Sequence, residues 1–255
     1  MPGSALLRKG AAIALALLSL AVCVRSDTVA RPWGRVAELP RTTLWAWERR
    51  EDLHAIDTRR FAVAYLDQTL TIDTTVRSLP RRNPVVFPAS ATRIPVVRIE
   101  TTRFARLDQE SQDEAVGQIL HSAREPGIAA LQIDFDATRS ERVFYRGLLS
   151  QLHQEMPPGL PLSITALASW CSRDRWMHDL PVDEAVPMMF RMEPDRRRAP
   201  PDSRDFDIRE PLCKSSVGVS TAEPWPSHLE EKRVYIFSDN GWQQDWPANI
   251  QGKLP

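Results

Sequence analysis

Eight short apolar runs, each about the length of a β-strand, constrain the fold of this 255-residue chain more than any other feature. They cover residues 44–48, 61–67 (with an extension to 72), 95–100, 127–136, 160–167, 184–190, 215–220 and 233–239. Amphipathic helices are predicted between them at 108–124 and 139–155. Strands that alternate with helices pair in parallel through right-handed crossovers. The sequence therefore predicts an α/β fold, a small and partly degenerate (β/α)8 TIM barrel.

Two places in this barrel are expected to be incomplete. Residues 74–92 contain three prolines and show no helical period, so an irregular loop is predicted in place of a helix. Little chain follows the eighth run, so its covering helix is short or missing. We assign residues 27–255 to this single domain, whose length lies near the lower end for such barrels.

The first 26 residues have the layout of a secretory signal peptide. Arg8 and Lys9 precede an apolar run at 11–22 that is too short to span a bilayer comfortably. Residues 20–23 resemble a lipobox that ends in Cys23, although Val22 stands where a smaller residue is usual. We expect an exported protein, which is periplasmic, extracellular or anchored in the envelope. Lipidation stays open, and an uncleaved membrane tether is the alternative.

The charge balance limits which partners are expected, and the cysteine content raises the question of a disulfide. Lysine plus arginine and aspartate plus glutamate are equal at 33 each, so no nucleic-acid partner is expected. The arginines at 196–198 fit a solvated loop better than a nucleic-acid contact. Two cysteines, Cys171 and Cys213, follow the signal segment. A disulfide between them stays open, because one follows a predicted strand and the other precedes one, which favours opposite ends of the barrel. The oligomeric state is also left open.

Acidic residues recur where the predicted strands end. Asp134 and Asp136 end the fourth run, and four other runs end at Glu48, Asp67, Glu100 and Asp239. In a parallel barrel these ends form one ring around one opening, where active sites lie. The competing interpretation is that such acids cap helices, satisfy turns or pair with cations.

Alternation along the strands suggests how two of these acids differ. Arg98 and Glu100 share one face of the third strand, and Asp134 and Asp136 share one face of the fourth. If both faces point into the barrel, Arg98 can neutralise Asp134 and leave Asp136 as the proton donor. A purely structural ion pair between Arg98 and Asp134 is the alternative.

Aromatic content favours a carbohydrate ligand over other small molecules. The chain has eight tryptophans and three tyrosines, and Trp47, Trp170 and Trp225 lie near predicted loop-side strand ends. Aromatic rings stack on the apolar faces of sugars, although core packing is the usual role of any single tryptophan. No cofactor is expected, since phosphate-binding glycine loops and a serine elbow are missing. The five histidines lack zinc-ligand spacing, whereas an all-carboxylate Mg²⁺ or Ca²⁺ site stays open.

Several segments together resemble a bacterial family of exported proteins of unknown function. They are residues 44–48, 131–136, 163–171, 184–190 and 218–225. That family in turn resembles barrel glycoside hydrolases, and residues 132–136 are distantly similar to the DxDxE signature of chitinase-like hydrolases. The resemblance implies that Asp136 is the general acid and Asp134 the assisting aspartate. Gln132 departs from the signature by replacing an acid, and Asp136 by being one methylene shorter than glutamate.

These observations lead to a functional hypothesis with two alternatives. In the first, an exported glycoside-hydrolase-like barrel uses Asp136 as acid and Asp134 as stabiliser, with Glu100, Glu48 or Asp67 as a second carboxylate. The sugar then lies against tryptophans at positions 47, 170 and 225. The second is a non-catalytic barrel of the cell envelope that binds a glycan or a protein. The third is an envelope scaffold in which the acids only satisfy loops and arginines.

Overall fold

The computed structural model describes residues 34–190, 207–245 and 250, with the side chains of residues 34, 35, 244 and 245 excepted. All of these residues belong to the unit that spans Arg31–Pro255. The predicted signal peptide, Cys23 and the arginines at 196–198 lie outside the described residues.

The described chain alternates strands and helices. Its strands are β1 (Thr42–Ala46), β2 (Glu51–Asp52), β3 (Phe61–Ile72), β4 (Val76–Pro80), β5 (Val85–Val86), β6 (Thr92–Thr101), β7 (Leu131–Asp134), β8 (Leu162–Leu167), β9 (Glu184–Met188), β10 (Ser216–Ser220) and β11 (Arg233–Phe237). Its helices are α1 (Gly34–Ala37), α2 (Gln109–Ala123), α3 (Arg142–Glu155), α4 (Ala168–Ser172) and α5 (Trp242–Asp245), and a 3-10 turn covers Pro211–Cys213.

Eight of the strands form a closed parallel barrel. The order is β1-β11-β10-β9-β8-β7-β6-β3, and pairing between β1 and β3 closes the ring. Each predicted run supplies one barrel strand, with boundaries that differ by a few residues. The prediction of a small, partly degenerate (β/α)8 barrel is confirmed.

The segment predicted as an irregular loop at 74–92 instead contains a strand of a hairpin. β3 is 12 residues long, but β1 pairs only with its first part, so the rest of β3 keeps one free edge. β4 covers that edge by antiparallel pairing, for example Leu70 with Ser78. Unpaired backbone groups are costly, which explains why a proline-containing segment is recruited here.

The two faces of the strands differ in what they pack against. Small and branched residues such as Ala62, Ala64 and Val96 fill the barrel interior together with Trp45. The opposite faces of β6, β7 and β8 pack against α2 and α3. Asp108 caps α2 by accepting a hydrogen bond from the Ser111 backbone N–H at 3.0 Å, which fixes where this helix begins.

The two cysteines left open by the sequence form a disulfide. Cys171 at the end of α4 bonds to Cys213 in the 3-10 turn, with α-carbons 5.9 Å apart. The backbone N–H groups of Arg209 and Glu210 also donate to the Cys171 carbonyl, at 2.9 and 3.1 Å. The segment before β10 therefore returns to α4, and the two cysteines do not lie at opposite ends of the barrel.

Candidate active site

A cavity of about 780 Å³ opens at the carboxyl ends of the barrel strands. One half of its wall is polar, and the other half is largely aromatic. The polar side chains of the lining are those of Glu48, Thr69, Arg98, Glu100, Asp134, Asp136, Thr165 and Ser169. Four of the six acids predicted to form a ring are therefore at this opening.

Asp134 is the buried anchor of the polar half. It is 5 % exposed and ends β7. Its Oδ1 accepts a hydrogen bond from Thr165 Oγ1 at 2.7 Å, and its Oδ2 accepts one from Arg98 Nη1 at 2.8 Å. Thr165 and Arg98 come from the strands on either side, so the carboxylate is held across three neighbouring strands.

Arg98 links two carboxylates of the cavity. While Nη1 bonds to Asp134, its Nε donates to Glu100 Oε1 at 2.8 Å. The guanidinium carbon also lies 5.6 Å from the centre of the Trp47 ring, within cation–π range. The contact between Arg98 and Asp134 has the geometry expected from alternation. It fits both a catalytic role and a structural ion pair.

Asp136 differs from its neighbour because no described residue donates a hydrogen bond to its carboxylate or forms an ion pair with it. Its side chain is solvent-exposed where it opens into the cavity, yet the cavity wall buries part of the carboxylate. This burial raises the pKa of Asp136, the charge of Asp134 raises it further, and Arg98 partly opposes both. The pair thus combines a fixed carboxylate with one that favours holding a proton.

The loop that carries Asp136 is fixed by Glu141 at the start of α3. Glu141 accepts hydrogen bonds from the Thr138 backbone N–H and hydroxyl, both at 2.6 Å, and from the hydroxyl of Thr101, the last residue of β6. Burial opposes ionisation of Glu141, but these hydrogen bonds outweigh it and lower its pKa. Sequence analysis missed this residue, although a threonine three positions before a glutamate at a helix start is a capping pattern.

Glu48 lines the cavity but is already occupied as an acceptor. Its Oε1 receives the backbone N–H of Asn83 at 3.0 Å, the Asn83 side chain at 3.0 Å and the Arg82 N–H at 3.2 Å. Burial would raise the pKa of Glu48, yet these hydrogen bonds lower it overall. Glu48 therefore joins the loop after β1 to the chain that follows β4.

The aromatic half of the wall is continuous. Phe190 and Phe237 stack with ring centres 5.6 Å apart and planes 13° from parallel. Trp47 meets Phe237 edge-on at 6.4 Å, and Trp45 lies 6.3 Å from Phe190. Among these rings only Trp47 was predicted for the site. Residues two apart along a strand share a face, so Trp45 could have been found from Trp47, and Phe237 from Tyr235.

Asp67 and Asp239 are not among the residues that line this cavity. The interior positions of β3 are Ala62, Ala64 and Leu66, so Asp67 points outward and accepts a hydrogen bond from Ser122 in α2 at 2.5 Å. Asp239 lies between loops, where it bonds to the Ser220 hydroxyl. Their predicted place in the ring of acids is thus corrected.

Trp170 and Trp225 are also placed away from the cavity lining. Trp170 is 3 % exposed and packs perpendicular to Trp176, with ring centres 4.9 Å apart, in the helix layer. The Trp225 Nε1 donates to the Ser220 carbonyl at 2.7 Å, and its ring packs on a hydrophobic cluster. Core packing accounts for these two positions.

Within residues 34–190 and 207–245, no three His, Cys, Asp or Glu side chains are arranged to share a metal ion. The same part of the chain contains no helix with the length and apolar character needed to cross a membrane.

The strands that supply most of the polar half of the cavity lie in a segment that matches a known family model. Residues 90–189 match the model described as Domain of unknown function (DUF3142). The matched segment contains β6 to β9 and hence Arg98, Glu100, Asp134, Asp136 and Thr165. It confirms the resemblance to a family of unknown function. No curated protein sequence matches the chain.

Two solved structures are similar to parts of the chain. One is the Bacillus cereus spore cortex-lytic enzyme SleL, with 18 % identity over 59 % of this chain and 41 % of that chain, at a TM-score of 0.39. The other is the chitinase domain of the spore coat protein CotE from Clostridium difficile, with 12 % identity over 68 % and 56 %, at 0.40. This chain thus spans less than two thirds of either protein.

Proposed function

We propose that this protein is a glycoside-hydrolase-like barrel that acts on a carbohydrate by carboxylate general acid/base catalysis. The observation that carries the proposal is the contrast between Asp136, which has no described partner and a raised pKa, and Asp134, which is held by Arg98 and Thr165. A carboxyl whose protonated form is favoured by its surroundings is what protonation of a leaving oxygen requires.

The remaining roles follow from which carboxylates are available. Asp136 protonates the leaving oxygen, and the fixed charge of Asp134 stabilises the positive charge that develops on the sugar. Glu100 supplies the second carboxylate: it is 51 % exposed, and Arg98 holds only its Oε1. Of the other candidates, Glu48 is held by amides and Asp67 faces α2.

The aromatic half of the cavity provides the binding surface for the sugar. Trp47, Phe190 and Phe237 present apolar ring faces and edges opposite the carboxylates. A pyranose ring has apolar C–H faces and polar hydroxyl groups, so it matches such a two-sided cavity. Arg98, Glu100 and Asp136 then face the hydroxyl groups.

A non-catalytic barrel that binds a glycan or a protein is the second candidate. Arg98 engages both Asp134 and Glu100, so Asp136 alone among the four cavity carboxylates has no partner in the described chain. Hydrolysis uses two carboxylates, and a cavity in which a single carboxylate is unpaired favours binding without turnover.

Export remains part of the proposal, on the basis of the charged and apolar layout of residues 1–26. Fractionation of cells that express the full chain or a chain lacking residues 1–26 tests it. We expect only the full chain outside the cytoplasm. Labelling with a radioactive fatty acid, compared with Cys23→Ser, decides whether a lipid anchor is present.

Assays on a glycan panel of chitin, cellulose, xylan, mannan and α-glucan separate the two candidates. The wild-type protein, Asp136→Asn and Asp67→Asn are compared for release of reducing ends and for binding. Asp67→Asn is the matched control because its carboxylate lies outside the cavity. Turnover that only Asp136→Asn abolishes supports the enzyme. Binding without turnover in all three supports the binding barrel, and the lack of both overturns the carbohydrate proposal.

A further inference from the structure

Below the cavity, a chain of buried hydrogen bonds crosses the barrel. Trp45 Nε1 donates to Gln132 Oε1 at 2.8 Å, and Gln132 Nε2 donates to Ser163 Oγ at 3.0 Å. Ser163 Oγ donates to Glu184 Oε2 at 3.1 Å. We call Trp45, Gln132, Ser163, Glu184, Tyr235 and Arg233 the interior network.

The lower end of this network is an ion pair. Arg233 Nε donates to Glu184 Oε1 at 3.1 Å, and both side chains are almost fully buried. Tyr235 also donates to the second oxygen of Glu184, at 2.7 Å. Arg233 Nη1 donates in addition to the carbonyls of Val36, Leu39 and Pro40, which precede β1. Glu184 is therefore fixed, and it can fix Ser163 in turn.

At the upper end of the network, the indole ring of Trp45 lies across the barrel interior. Trp45 belongs to β1, yet its indole N–H reaches β7, which is three strands away around the ring. On the other side, β10 carries Gly218, where an added Cβ would lie 3.0 Å from Trp45 Cη2. The indole thus spans from β7 to the bare backbone of β10, and Trp45 lines the cavity from below.

An amide at position 132 satisfies both neighbours at every pH, because it can accept and donate a hydrogen bond without titrating. Its oxygen accepts from the indole, and its nitrogen donates to Ser163, which keeps its own hydrogen for Glu184. An ionised carboxylate could accept from the indole but could not donate to Ser163. This explains why glutamine fits where chitinase-like signatures carry an acid.

We propose that Trp45 forms the floor on which the ligand rests, and that Gln132 is the positioning residue that sets the height and tilt of this floor. The proposal rests on the proposed carbohydrate function. Because Gln132 is 0 % exposed, it acts only through the indole and never touches the ligand. The depth of the cavity, and hence the sugar that fits, is therefore set by the interior network.

The direct test needs no ligand. Trp45 is assigned among the indole N–H resonances by its loss in Trp45→Phe, and the spectrum of Gln132→Met is then recorded. We expect the Trp45 resonance to move to the position of a weakly bonded indole. That of Trp225, which bonds to the Ser220 carbonyl, should stay in place as a control for folding. An unmoved Trp45 resonance in Gln132→Met would overturn the proposal.

A pH titration of Gln132→Glu provides a second test that a merely structural role would not pass. Of the charged groups on the neighbouring strands, Asp134 and Glu184 would oppose ionisation of the introduced carboxyl, and Arg98 and Arg233 would favour it. Tyr235 stays neutral, because burial raises its pKa. At low pH the neutral group can both accept and donate, as glutamine does. Once it ionises, it cannot donate to Ser163. The Trp45 resonance should therefore match wild type at acidic pH and depart from it as pH rises.

Binding to chitohexaose, cellohexaose and maltohexaose measures the functional consequence. For an oligosaccharide that wild type binds, we expect Gln132→Met and Trp45→Phe each to bind roughly tenfold more weakly, and the double variant little more weakly than either. Additive losses, or unchanged affinity in Gln132→Met, would overturn the proposal. If wild type binds none of the three, the result contradicts the carbohydrate function, and with it the role of Trp45 as a floor for the ligand. The indole resonance then still decides whether Gln132 positions Trp45.

Discussion

Asp134 and Asp136 are two residues apart, yet one carboxylate accepts two hydrogen bonds and the other accepts none from any described residue. Asp134 ends β7 between Arg98 and Thr165, whereas Asp136 belongs to the loop that Glu141 holds. The strand fixes the first acid, and the loop presents the second to the cavity. This difference in environment gives two like groups different properties.

Removing the charge of Asp136 should stabilise the fold at neutral pH. Because burial raises the pKa of Asp136, the folded protein favours the neutral carboxyl. That contribution is fully present below the pKa of an unfolded aspartate and is lost as pH rises through the folded-state value. Asn cannot ionise, so Asp136→Asn should gain stability over wild type at about pH 7 and lose this advantage near pH 4. Urea denaturation at both pH values measures the difference in free energy of unfolding between Asp136→Asn and wild type. The same difference at both pH values would contradict the prediction.

Thr165→Val should destabilise the protein because it leaves the buried Asp134 with one hydrogen bond fewer. We expect a loss of about 1–2 kcal/mol in the free energy of unfolding. Thr69→Val is the matched control, since Thr69 lines the same cavity and forms no hydrogen bond through its hydroxyl within the described chain. It should change stability by less than about 0.5 kcal/mol. Equal effects of the two variants would remove the special role of Thr165.

Gly218→Ala should be unfavourable because the added methyl group would approach two atoms of the Trp45 ring at 3.0 and 3.1 Å. Overpacking of this kind costs about 1–3 kcal/mol. Gly117→Ala in α2 meets nothing within 4 Å and should instead stabilise the helix by up to about 1 kcal/mol. In urea denaturation, we expect Gly218→Ala to lower the free energy of unfolding and Gly117→Ala to raise it. A neutral Gly218→Ala would mean that the indole does not lie against β10.

The disulfide should matter more for stability than for the chemistry of the cavity. It closes a loop of 42 residues, for which chain entropy predicts about 4 kcal/mol. Cys171→Ala with Cys213→Ala should lose this amount, and wild type under dithiothreitol should lose the same. A much smaller loss in the double variant would show that the loop is already constrained without the bond.

Much of the fold follows from pattern alone. Eight runs with helices between them leave few alternatives to a parallel barrel, and alternation along the strands predicts Arg98 beside Asp134, where the structure has it. The hairpin strand β4 was missed because its pairing satisfies a free edge of β3, and that edge exists only once β1 is known to be short.

The site was less predictable than the fold, for two physical reasons. Acids at strand ends do not all point inward: Asp67 follows the outward face of β3, which the interior alanines of that strand could have indicated. Aromatic residues near strand ends do not all face the opening either, since Trp170 fills the helix layer while Phe190 and Phe237 form the wall. Which face a loop residue takes depends on tertiary contacts that no short-range pattern encodes.

The most direct test of the central claim is the pH dependence of glycan hydrolysis by the wild-type protein and Asp136→Asn. If Asp136 is the proton donor, the wild-type rate should fall as pH rises through its raised pKa. Asp136→Asn should lose roughly 10²–10⁴-fold in rate together with that pH limb. A variant that hydrolyses the same glycan at the wild-type rate with an unchanged pH profile would contradict the account.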